Sequence, residues 1–286
     1  MSVAIVVKVS EGLVLGTDSA AAIHGRVESE EGAQEGILKV FYNAKKLLQI
    51  GDFPIGLFTW GRAFVGMRTI ESLVREWEYE KHWQTRKEYD KKHDETFTVK
   101  ACAEGLLEHL TEAYSEEFGE AFAEEMPVGV VVGGYSDGAF FPDIWRFVVP
   151  SDDQVHNQRP DRDGKPDFGA SWFGLTDSII RLHWGRADAA IKIVSEKFGI
   201  AEQEVREALN PLQYQVPFAV MPLQEAIEYV HYMINVAMGR YRFVVGPELC
   251  GGSISVAAVT QNQFRWVSRE PWSMEGEGKD GAETNS

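Results

Sequence analysis

Residues 3–9 and 12–17 are rich in Val, Ile and Leu and are separated only by Ser10-Glu11. Two apolar runs joined by two residues read as strands of a tight hairpin, so the chain begins inside a sheet, with its terminal residue held rather than frayed. The opening run Val3–Val7 is cut by Lys8 and lacks a basic flank, unlike a signal-peptide core. No stretch is long enough to span a bilayer.

Residues 19–42 are polar, contain Gly and carry Glu28, Glu30, Glu31 and Glu35, which predicts a solvent-facing excursion before strands at 46–50 and 55–60. Phe64, Met67, Ile70, Val74 and Trp77 lie three or four apart and predict a helix over 62–80. Ala103, Leu107, Leu110, Tyr114 and Phe118 do the same for 98–124, with 80–96 between them as an exposed turn or helical extension. Strands follow at 128–132, 143–149 and 169–173, helices at 177–198, 201–209 and 221–239, and closing strands at 253–260 and 263–267. Residues 270–286 read as a disordered acidic tail, leaving 1–269 as one domain with helical insertions. Strands, helices, strands, helices and strands in that order predict an α+β fold of four layers, αββα, in which two sheets pack face to face under outer helices.

Lys plus Arg total 28 against 44 Asp plus Glu, a net charge of −16 that disfavours a nucleic-acid partner. Two cysteines, Cys102 and Cys250, make no disulfide framework and fit a reducing cytoplasm. His24, His82, His93, His109, His156, His183 and His231 show no metal-ligand spacing, so no metal or other cofactor is expected. Gly133-Gly134 and Gly251-Gly252 are not followed by Gly-Lys-Ser/Thr and form no phosphate loop.

The chemistry-bearing candidates cluster near the start. Removal of Met1 would expose Ser2, whose hydroxyl and α-amine supply a nucleophile and a base in one residue. An α-amine titrates near ~7.7–8, close to working pH, so it can accept the hydroxyl proton without a histidine. Ser is a common second residue, however, and the signal needs its context. Gly16-Thr17-Asp18-Ser19 ends the second strand and brings Asp18 back beside the start of the first. Lys45-Lys46 opens an apolar strand, and a lysine there is either solvated or, as Lys46, buried against Asp18. Gly61, after the strand 55–60, serves turn geometry or presents its N–H to an oxyanion.

These motifs, in this order, resemble those of proteasome β-subunits and their bacterial relatives. The family pattern of nucleophile, hairpin and Ala/Gly-Thr-Asp/Glu recurs from Ser2 through Gly16-Thr17-Asp18. Asn43–Ile50 is similar to the family's strand bearing the active-site lysine, and Ile55–Gly61 to the strand ending in its oxyanion glycine. The likeness covers 2–75 and resumes more loosely at 128–134, 170–177 and 249–260. It implies Ser2 as nucleophile, Asp18 as the lysine's partner, Lys46 as charged activator and Gly61 as oxyanion donor. It further implies a cytoplasmic N-terminal-nucleophile (Ntn) peptidase in a homo-oligomeric ring, acting on peptides or unfolded protein, with any unfoldase partner unidentified. Two departures touch the site's support: Gly174-Leu175-Thr176-Asp177 stands where the family has Gly-Ser-Gly, and Pro247-Glu248-Leu249-Cys250-Gly251-Gly252 where it has Asp-x-x-Ser-Gly-Gly. Leu175, or its neighbour Thr176, and Cys250 thus replace serines, and Pro247 replaces an aspartate for which Glu248 is the candidate substitute. A small-molecule amidase of the same fold, or a non-catalytic ring or scaffold subunit, stays open beside the peptidase.

Overall fold

The structure is a computed structural model and describes residues 2–29, 32–246 and 248–269. The predicted acidic tail over 270–286 and the Pro247 substitution lie outside the described residues.

The chain opens as predicted with β1 (Val3–Val9) and β2 (Gly12–Asp18), paired antiparallel with Ala4 opposite Thr17. Both strands are buried along their whole length, and the two faces of β1 meet different layers. Val3, Ile5 and Val7 point to a helical layer, whereas Ala4 and Val6 point to a second sheet. Burial on both faces is why these strands read as continuous apolar runs rather than alternating ones.

Residues 19–42, predicted as an excursion, instead form β3 (Ala21–Ser29) and β4 (Gly32–Phe41), an antiparallel ribbon that makes its own two-stranded sheet. Strand alternation marks a face packed on a core; β4 has no such face to record where Leu38, Lys39 and Phe41 are exposed. Then come β5 (Leu47–Gln49) and β6 (Ile55–Gly61), as predicted.

The helix predicted from residue 62 starts later. Phe64–Val65 (β7) and Arg68–Thr69 (β8) form a small hairpin with Met67 fully exposed, and α1 spans Ile70–Glu80. Thr69 sets that boundary, because its hydroxyl accepts the Ser72 N–H at 3.1 Å as an N-cap. A short α2 (Arg86–Lys92) occupies part of 80–96, and α3 (Val99–Phe118) is capped by Thr98, whose hydroxyl accepts the Ala101 N–H at 3.0 Å. Past Phe118 the predicted helix tightens into a 3-10 turn over Gly119–Glu124.

The chain continues through β9 (Val128–Gly134), β10 (Asp143–Val149), β11 (His156–Asn157) and β12 (Gly169–Gly174). The helix predicted over 177–198 is broken by the left-handed Gly185 into α4 (Asp177–Trp184) and α5 (Asp188–Phe198). After α6 (Glu202–Leu209) and α7 (Leu223–Phe243) come β13 (Ile254–Thr260) and β14 (Gln263–Ser268).

One sheet has the order β12-β1-β2-β13-β14 and the other β11-β10-β9-β6-β5. They pack through Ala4, Val6, Leu13 and Leu15 against Leu47, Phe58, Val131 and Ile144. Outside the first sheet, Val230 and Ile234 of α7 and Ile179 of α4 cover Ile5, Val7 and Val14. Outside the second, Trp77 of α1 with Leu106 and Leu110 of α3 cover Val130, Val132 and Phe147. The layers are helix, sheet, sheet and helix, the predicted α+β arrangement. Among the described residues no helix is long and apolar enough to cross a membrane.

Candidate active site

The site assembles at the end of the sandwich where β1 begins and β2 ends. Hairpin register places Asp18 just past the Ala4–Thr17 pair, and the Val3 N–H donates to its Oδ1 at 3.0 Å. Its other oxygen accepts the N–H groups of Ala20 at 3.2 Å and Gly251 at 3.1 Å. Lys46 Nζ donates to Oδ1 at 2.7 Å. Asp18 is 0% exposed and Lys46 6%, so this is a buried ion pair whose carboxylate also collects three backbone donors. Such pairing meets the condition for keeping charge in a low-dielectric interior, where an unpaired ion costs several kcal/mol (roughly). Of the two readings open for Lys46 in the sequence, the structure gives the buried one.

Ser2 is 4% exposed and is gripped from β12: the Leu175 N–H donates to its carbonyl at 2.7 Å. The grip demands glycine next door. Gly174 has φ +78 and lies opposite Val3, and a Cβ there would collide with the Ser2 carbonyl oxygen. Leu175 thus contributes its backbone to holding Ser2, while its side chain joins the apolar layer under α4 and α7. Thr176 precedes α4 but makes no side-chain cap bond.

Lys46 is positioned by the second sheet, since its carbonyl accepts the Thr59 N–H of β6 at 3.0 Å. Two residues further, β6 ends at Gly61, which has φ +87, pairs with Val128 and sits so close to Pro127 that a Cβ would strike its carbonyl. Local geometry alone therefore requires glycine there. Ser2, Lys46 and Gly61 line one cavity of about 560 Å³, with Asp18 behind Lys46. The four candidates read from sequence thus come together at one place, drawn from β1, β2, the segment before β5 and the end of β6.

Sequence reasoning missed Ser19. It is fully buried and ties three segments together: its N–H donates to Gly251 O at 3.2 Å, its carbonyl accepts the Ala44 N–H at 2.9 Å, and its hydroxyl donates to Tyr42 O and lies 3.2 Å from Ser253 Oγ. Its signal was the serine directly after Gly16-Thr17-Asp18, where the second strand ends. Cys250 is buried, and it lies beside the Asp18 carboxylate. Burial first, and then that carboxylate, push its thiol well above the ordinary cysteine range, which keeps it protonated and a poor nucleophile. Glu248, the candidate substitute for a supporting carboxylate, is exposed and accepts a hydrogen bond from the Tyr42 hydroxyl at 3.4 Å.

No family model matches the sequence, and no curated protein matches it. Among solved structures, the chain is similar to the Anbu (Gly-1) mutant from Hyphomicrobium sp. strain MC1, with a TM-score of 0.53 and 14% sequence identity over 97% of this chain and 89% of that chain. Anbu is a bacterial proteasome-like protein, and at that identity the likeness is one of fold: this chain has an α+β Ntn-type fold.

Proposed function

We propose that the protein is an N-terminal-serine amide hydrolase, a proteasome-like peptidase that works in the cytoplasm as a ring-shaped homo-oligomer on peptides or unfolded protein. The observation that carries this reading is the buried Asp18–Lys46 pair in the wall of the cavity that Ser2 lines. After loss of Met1, the Ser2 α-amine takes the hydroxyl proton as Oγ attacks the scissile carbonyl. The developing oxyanion is stabilised by an N–H at the Gly61 turn, as in oxyanion sites generally. Collapse passes the proton from the ammonium to the departing amine and leaves an ester on Ser2. Water then attacks that ester, with the amine again acting as base, and the carboxylic acid leaves. Lys46, anchored by Asp18, keeps positive charge beside the amine, which favours its neutral, proton-accepting form.

Intact-mass measurement of protein from its native host tests the first requirement. The expected mass is that of a chain starting at a free Ser2; a fully active preparation that retains Met1 quantitatively would remove the mechanism, because the amine would then be an amide nitrogen.

A small-molecule amidase is the second reading, favoured by the cavity itself: about 560 Å³, lined by one chain, is the size of a single small ligand. Analytical ultracentrifugation separates the two. A high-order closed assembly is expected for the peptidase, whereas a stable monomer at micromolar concentration would transfer the assignment to the amidase.

A further inference from the structure

A second cavity, of about 480 Å³, lies between the C-terminal end of α7 and the loop at 248–252. The helix contributes Met238, Gly239 and Arg242 to its lining, and the loop contributes Glu248 and Gly251. Tyr42 lines this cavity as well as the one beside Ser2, so a single side chain borders both.

Two opposite charges reach the second cavity without meeting each other. The Arg242 guanidinium lies over the ring of its neighbour Phe243, and among the described residues it forms no ion pair. The Glu248 carboxylate accepts the Tyr42 hydroxyl at 3.4 Å and, among the described residues, has no cation beside it. Gly239 adds a third observation. It lies inside α7, where glycine is a poor helix former, and nothing packs within 4 Å of the place its Cβ would take. Neither the helix nor the core asks for glycine there, whereas a molecule lying along the helix in this cavity would.

An arginine and a glutamate that stay apart in one cavity match a molecule carrying both charges. Its carboxylate would meet Arg242 in charge-assisted hydrogen bonds, and its ammonium would meet Glu248 beside the Tyr42 ring. Met238 and that ring offer apolar contact to the part between, and the volume suits a molecule of dipeptide size. We propose that this cavity binds a short peptide with free amino and carboxyl termini, and that its occupancy acts on the Ser2 site. The path between them is short. Gly251, in the cavity lining, donates its N–H to Asp18 Oδ2 at 3.1 Å, and the Tyr42 carbonyl accepts the Ser19 hydroxyl. The binding site stands independently; the coupling rests on the hydrolase reading above, for which such peptides are the class of product released.

Calorimetric titration of the full-length Ser2→Ala protein tests the site without turnover. The probes are leucyl-leucine, N-acetyl-leucyl-leucine, which lacks the ammonium, and leucyl-leucine amide, which lacks the carboxylate. The free dipeptide should bind about tenfold or more tighter than either blocked form, the scale of one hydrogen bond to a charged group. Arg242→Gln should erase its advantage over the amide alone, and Glu248→Gln its advantage over the acetylated form alone, a crossed pattern that loss of structure would not produce. Gly239→Leu fills the open space and favours the helix, so it should abolish binding without lowering Tm. Absence of binding, equal affinity for the three probes, or affinity unmoved by these variants overturns the site. For the coupling, saturating leucyl-leucine should change the rate at which an electrophilic peptide labels Ser2 by about twofold or more in the wild type and leave it unchanged in Gly239→Leu. The same rate change in both proteins, or none in the wild type while binding is intact, overturns the coupling alone, whereas labelling that persists in Ser2→Ala overturns the hydrolase reading.

Discussion

Ser2→Ala is expected to lower hydrolysis of a fluorogenic peptide or amide by on the order of a thousandfold or more, the scale seen when a covalent nucleophile is removed. The variant deletes only the attacking oxygen. The chain's grip on residue 2 is made by its backbone, through the Leu175 N–H and the close approach of Gly174, so the fold is expected to stay within about 1 kcal/mol of wild type. Intact-mass detection of an adduct with an electrophilic peptide gives the second readout: the wild-type chain should be modified at Ser2 and the variant should not. A folded Ser2→Ala protein that forms the adduct at the wild-type rate would place the nucleophile elsewhere. Cys250 is the next residue to examine, although burial beside Asp18 holds its thiol protonated.

Lys46→Ala is expected to damage both activity and stability. It leaves the Asp18 carboxylate fully buried with its backbone donors but without its cation. Breaking one side of a buried pair costs about 3–5 kcal/mol, which for a chain of this size is a fall in Tm of roughly 10 °C. Calorimetry checks that value, and unchanged thermal stability would show that Asp18 is well solvated or neutral without Lys46. Catalytically, the loss of positive charge beside the amine should remove most turnover at temperatures where the variant stays folded. In the proposed mechanism Ser2 and Lys46 serve one proton transfer, so the Ser2→Ala/Lys46→Ala double variant should be hardly slower than Ser2→Ala. Multiplying losses in the double variant would mean that the two act separately.

The layer order and most strand positions were legible because their signals are local. Continuous runs such as Val3–Val7 and Val128–Val132 record burial on both faces, and α7 carries its apolar stripe over enough turns to be unambiguous. The misreadings share a physical cause. Phe64 and Met67 fell in helical register with Ile70 by coincidence, and the cap at Thr69 decided where α1 begins. The β3–β4 ribbon forms no part of the two packed sheets, so no core-facing pattern announced it. Gly185 ended a helix whose apolar spacing continued beyond it.

By itself the sequence determined which candidate residues the site would hold: a serine at position 2, an aspartate at the end of the second strand, a lysine before an apolar strand and a glycine at a strand end. It brought the first two together because a hairpin of fixed register carries residue 18 back to residue 2 with no help from distant segments. Whether Lys46 was solvated or buried, and which groups completed the cradle around Asp18, only the tertiary structure decided. Gly251 donates to Asp18 from 233 positions away, and Ser19 bonds to segments at 42–44 and 251–253. Contacts of that kind depend on how the two sheets and the returning loop pack, and no local periodicity encodes them.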